Sequence, residues 1–88
     1  MAEPVRNMSK YPGLNDGHFL QGIEDGGEVV ILADGARFKV YEGFICFTRD
    51  WQPQHMMRVK ENPKNKDFPY KIINIHTNNS AEAIWLEE

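Results

Sequence analysis

Between positions 28 and 41 the chain changes from an apolar block to strict alternation. Val29-Val30-Ile31-Leu32-Ala33 is apolar throughout, Asp34-Gly35 interrupts it, and Ala36, Phe38 and Val40 then alternate with Arg37, Lys39 and Tyr41. A run buried on both faces, followed by one buried on a single face, predicts two paired strands. Asp-Gly between them predicts a two-residue type I′ turn, in which both central residues take positive φ. Ala36, Phe38 and Val40 then face inward, and Arg37, Lys39 and Tyr41 face out. A slip of one residue would place the cations in the core, so the register is strongly specified.

The same patterning predicts further strands on both sides. His18 to Glu24 is a strand with Phe19 and Ile23 on one face, and Gly22 inside it marks a bulge or bend. Asp25-Gly26-Gly27 is a turn. Phe44, Phe47 and Trp51 fall at helical spacing, although Phe44 to Thr48 also has strand propensity. Residues 42–54 are therefore either a bent strand or a short helical turn that stops before Pro53. His55 to Glu61 alternates again, with His55, Met57 and Val59 on the inner face. Asn62 to Phe68 is a polar, mobile loop, Tyr70 to Ile75 a strand, Thr77 to Ser80 a turn, and Ala81 to Leu86 the closing strand.

The expected fold is mainly β: a small SH3-like barrel or roll of five to six antiparallel strands in a meander, with an OB-type barrel as the nearest rival. Residues 1–16, with Pro4, Pro12 and Gly13 and no periodicity, form a flexible N-terminal arm that Tyr11 and Leu14 could tack in part onto the barrel, and residues 17–88 the single domain. At this size apolar burial is barely sufficient, so the core leans on Phe19, Phe38, Phe44, Phe47, Trp51 and Trp85 together with the isoleucines and valines.

Three stretches resemble a group of small uncharacterised bacterial all-β proteins. They are Asp34-Gly35-Ala36-Arg37-Phe38-Lys39-Val40, Thr48-Arg49-Asp50-Trp51-Gln52-Pro53 and Tyr70-Lys71-Ile72-Ile73-Asn74. In that group a D-G-x-x-aromatic-x-V hairpin, a T-x-x-W-x-P-G-D corner and a Y-x-I-x-N strand follow in the same order. The resemblance covers residues 18–86 and implies a small all-β barrel with no established activity. At the corner this chain departs from the pattern, carrying Gln54-His55 in place of Gly-Asp.

Candidate catalytic chemistry is sparse. His18, His55, His76 and Cys46 show no short metal-ligand spacing, so no metal or cofactor is expected. Cys46, between Ile45 and Phe47, reads as a buried and inert thiol. Asp50 beside Trp51 has no second positioned group to make it a general acid, and a turn-capping role fits it. No helix follows Gly26-Gly27 or Gly35 to cradle a phosphate. These features predict a chain that is not an enzyme. The single cysteine excludes a disulfide-stapled scaffold, and no stretch has the length of a membrane span. The expected location is cytoplasmic. The alternative is an exported, periplasmic chain, with Ala2-Glu3-Pro4 as a mature start and Met1 replacing a cleaved signal.

Two surfaces have the composition of binding sites. Arg37, Lys39 and Tyr41 set an aromatic beside two cations, as at protein interfaces. Arg58, Lys60, Lys64, Lys66, Phe68, Tyr70 and Lys71 interleave cations with aromatics, which suits a nucleic acid. Glu61 and Asp67 dilute the second surface and the net charge is −3, so a solvated hairpin whose lysines guard an exposed edge explains it better. The leading expectation is an accessory module that binds a protein or peptide partner, or a second copy of itself. It would use an exposed strand edge or the Tyr41 face. The alternative is a nucleic-acid-binding barrel using Arg58 to Lys71.

Overall fold

The computed structural model describes residues 11–86. They form strands β1 (Gly17–Glu24), β2 (Val29–Leu32), β3 (Arg37–Val40), β4 (Met56–Glu61), β5 (Tyr70–Asn74) and β6 (Ser80–Trp85), with one short helix, α1 (Ile45–Thr48). The Val29–Tyr41 hairpin forms in the expected register, with Val30 opposite Phe38 and Ile31 opposite Arg37. Its turn differs from expectation. Leu32 N donates to Ala36 O at 2.9 Å and Gly35 N to Leu32 O at 2.9 Å, which closes a three-residue loop. Only Gly35 takes positive φ there, at 92°. Asp34 thus avoids the left-handed region, and its carboxylate caps the turn by accepting from Ala36 N at 3.0 Å.

The strands close into an antiparallel barrel in the order β1-β2-β3-β6-β5-β4. It is not one meander. Two three-stranded meanders, β1-β2-β3 and β4-β5-β6, are joined along the β1–β4 and β3–β6 seams, and residues 41–55 carry the chain between them. Every described strand has a partner on both sides, so the exposed edge expected for β-augmentation is lost to closure. β1 reaches both neighbours by dividing its length. Gly17, His18 and Phe19 pair with β4, and Leu20 to Glu24 pair with β2 across an irregularity between Leu20 and Gly22.

That bulge also corrects the core. An added residue inverts side-chain parity, so Phe19 and Ile23 cannot share a face. Ile23 packs on the core, Leu20 points in, and Phe19, opposite Met56, is 53% exposed. Phe47, also assigned to the core, is 40% exposed on α1. Their places are taken by smaller inward residues of regular parity, chiefly Val30, Leu32, Val40, Met57, Val59 and Ile72 around Phe38.

Residues 11–16, placed by composition in the arm, are part of the barrel, while residues 1–10 of that arm lie outside the described residues. Tyr11 is 2% exposed and packs edge-on to Phe38 at 5.1 Å and to Trp85 at 5.6 Å. Its N–H donates to Tyr70 Oη at 2.9 Å, and Asn15 N donates to Val59 O at 2.7 Å. Proline and glycine in this stretch signal tight turning around a buried ring.

The connection from β3 to β4 is helical. A 3₁₀ turn at Glu42–Phe44 leads into α1, whose buried Thr48 Oγ donates to Gly27 O at 2.6 Å. Gly27 has φ 108°, and a Cβ there would lie 2.8 Å from Arg49 Cα. Only glycine lets the connection approach this closely. The β4–β5 loop, expected to be mobile, is pinned at its root. Asn62 is buried, its N–H donates to Pro69 O at 2.7 Å, and its amide donates to Phe68 O at 3.0 Å.

Candidate partner-binding face

Tyr41 follows directly from the outward parity of β3. Val40 pairs with Ala83, so Tyr41 falls opposite Glu82 and its N–H donates to Glu82 O at 2.8 Å. Glu82 stands opposite Lys71, and Lys71 opposite Lys60. Tyr41, Glu82, Lys71 and Lys60 therefore form one row across the outside of the barrel, each step about 4.8 Å. The Tyr41 ring lies 4.9 Å from Phe68 and 6.1 Å from Phe44, and Phe44 lies 6.4 Å from Phe47. Phe68, Tyr41, Phe44 and Phe47 make a continuous aromatic strip. Tyr41 remains 42% exposed, and among the described residues its hydroxyl has no hydrogen-bond partner.

The structure redistributes the two surfaces expected from sequence. Arg37 and Lys39 face outward with Tyr41, but Arg37 is held by Glu24 at 2.7 Å. Phe68, assigned to the nucleic-acid surface, joins Tyr41 instead. Tyr70 is corrected outright. It shares inward parity with Ile72, is 7% exposed and accepts from Tyr11 N, so no base can stack on it. Arg58 lies farther along β4, where Nη1 donates to Asn15 O at 3.4 Å. Lys64 and Lys66 are exposed on the loop. Its conformation is set by Asn65, whose Oδ1 accepts from Asp67 N at 3.0 Å and Phe68 N at 3.3 Å, while Nδ2 donates to Glu82 Oε1 at 3.1 Å.

Other chemistry-bearing groups are engaged elsewhere. At one mouth Tyr11 donates to Asp34 Oδ2. His18 Nε2 bonds Gly13 O at 2.8 Å, and its Nδ1 lies 3.6 Å from Asp34. Burial, and then the Asp34 hydrogen bond and charge, push the Tyr11 hydroxyl far above the usual tyrosine range, so it stays protonated and is no nucleophile. His55 and His76 stack at 4.4 Å. Buried Asn74 fixes His55: its Oδ1 accepts from His76 N and Thr77 N, leaving Nδ2 to donate to His55 Nδ1 at 3.1 Å. The His55 ring proton therefore sits on Nε2. Cys46, expected to be buried, is exposed, because α1 turns it outward. A groove of about 520 Å³ lies between Phe19, Gln21, Pro53 and Gln54. Among the described residues no cluster of three acidic, histidine or cysteine side chains is placed to hold a metal. No helix among them is long and apolar enough to cross a membrane.

Sequence reasoning missed Phe47 as a surface residue, whereas half-buried Phe44 packs against the core as expected and its ring also joins the strip. The signal was present in their helical spacing immediately after outward-facing Tyr41. Helical phase continues an exposed face as readily as it starts a buried one. No family model matches the chain, and no curated protein or solved structure matches it.

Proposed function

We propose that this chain is a non-catalytic binding module that captures a protein or peptide segment on the strip formed by Tyr41, Phe44, Phe47 and Phe68. The supporting observation is Tyr41: packed against Phe68 at 4.9 Å with the rings tilted by 36°, yet 42% exposed with an unpartnered hydroxyl among the described residues. An aromatic with one apolar side against its neighbours and one polar end free is the type enriched at interfaces. With the barrel edges closed, the partner engages side chains and does not extend a sheet. An exposed, unpaired Cys46 beside this strip fits a reducing, cytoplasmic compartment.

A selection of random dodecapeptides on the full chain tests this reading. Selected peptides should lose at least about tenfold in affinity for Tyr41→Ser, roughly 1.4 kcal/mol. Equal binding to both proteins overturns it. A nucleic-acid reading is favoured by one feature, the cross-strand Lys60–Lys71 pair, but it has lost Tyr70 to the core.

A further inference from the structure

We infer that the segment held on this face is acidic, with an apolar side chain seated on the Tyr41–Phe68 pair and carboxylates reaching Lys60, Lys64, Lys66 and Lys71. The inference rests on the partner-binding reading of the same face. Register supplies the first argument. Lys60 and Lys71 stand directly opposite one another, an arrangement of like charges that repels. Glu82 is the cross-strand acid neighbour of Lys71, but among the described residues no carboxylate lies within ion-pair distance of Lys60, Lys64, Lys66 or Lys71. The Glu82 carboxylate is turned to Asn65, whose Nδ2 donates to Oε1 at 3.1 Å, so its charge offsets the pair in part from a distance and makes no ion pair with Lys71. On the other side of the row Arg37 shows what a neutralised cation looks like here, held by Glu24 at 2.7 Å. An anion brought by a partner would relieve the lysine repulsion.

Layout supplies the second argument. From Tyr41 to Lys60 the row spans three strand spacings, about 14 Å, which an extended segment of about four residues covers. The cross-strand Lys60–Lys71 pair is set apart from the rings, two strand spacings or more from Tyr41 along the row, although the loop that carries Lys64 and Lys66 also carries Phe68. Lys60 and Lys71 form one block on β4 and β5, and the rings form another from Phe68 to Phe47. Alternating stacking and phosphate contact along a single strand needs interleaving. An apolar anchor with an acidic flank needs two adjacent blocks. A net charge of −3 also disfavours long tracking of a polyanion, while leaving local attraction intact.

The dodecapeptide selection is repeated on the full chain and on Lys60→Glu/Lys71→Glu, and the selected peptides are synthesised for titration at low and high salt. Oligothymidylate is titrated in parallel, and thermal melting confirms that each variant is folded. The inference predicts peptides with an aromatic or aliphatic residue flanked by Asp or Glu. Their affinity should fall at least about tenfold on the double reversal and weaken as salt rises. Peptides that need Tyr41 but show no acid enrichment and ignore the reversal would overturn the acidic partner and leave the face standing. Peptides indifferent to Tyr41→Ser would remove the face itself. Salt-sensitive oligothymidylate binding lost on the reversal, with no acidic peptides selected, would overturn the inference in favour of a nucleic acid.

Discussion

The barrel carries two aromatic groups of the same size and opposite character. Inside, Tyr11, Phe38, Tyr70 and Trp85 meet edge to face, with Tyr11 and Phe38 at 5.1 Å and Phe38 and Tyr70 at 5.8 Å. Outside, Phe68, Tyr41, Phe44 and Phe47 lie tilted against each other with interplanar angles of 36–50°. The polar ends separate them. Tyr11 donates to Asp34 and Tyr70 Oη accepts from Tyr11 N, whereas the Tyr41 hydroxyl meets no described group. A buried tyrosine must satisfy its oxygen within the protein, because an unpaired polar group there costs about 1–3 kcal/mol. An outer tyrosine can keep its oxygen for water or for a partner. Among the described tyrosines, hydrogen-bond satisfaction separates the two core rings from the surface one.

The largest test of that contrast compares Phe38→Ala with Phe47→Ala by chemical denaturation. Phe38→Ala should cost about 3–5 kcal/mol and unfold much of so small a domain. Phe47→Ala should cost well under about 1 kcal/mol. Similar losses would erase the division. Next in size is Tyr11→Phe, expected to cost about 1–2 kcal/mol through loss of the bond to Asp34. Its pH dependence is more diagnostic. Tyr11 ionises later in the folded than in the unfolded chain, so its contribution is complete below pH about 10 and declines as pH rises beyond. Tyr11→Phe should flatten that decline relative to the parent chain in urea titrations at successive alkaline pH values. The smallest effect is Arg37→Ala, under about 0.5 kcal/mol, since its ion pair with Glu24 is exposed. A larger loss would mean that the outer face of β3 is more structural than its geometry indicates.

Legibility followed periodicity. The β2–β3 hairpin and strands β4 to β6 were readable because a period of two leaves one answer when one face is buried. β1 was misread because a single added residue reversed parity between Phe19 and Ile23, and Gly22 marks that a bulge exists without saying which side chains it turns. Tyr11 was legible only as a side chain that could tack the arm to the barrel, because burial of a lone ring among prolines and glycines has no period. The candidate face was half readable. Tyr41 and the lysines were visible as two separate sets, but only the register from Val40–Ala83 to Lys60–Lys71 brings them into one row. The count of strands was predictable, and the order was not, because nothing local in residues 41–55 says which strand receives the chain.

Closure through two seams has a kinetic consequence. Each three-stranded half is built from neighbouring strands and can form from local contacts, but the seams join Gly17 to Arg58 and Phe38 to Trp85. Such distant pairings are slow to meet. Until they do, β1 and β3 of one half and β4 and β6 of the other present bare edges, the surfaces through which chains aggregate. The finished barrel has hidden that hazard, so its cost falls on the moments before closure. Conditions that let intermolecular pairing outrun closure, such as high chain concentration during refolding, should reduce yield without touching the stability of what has folded.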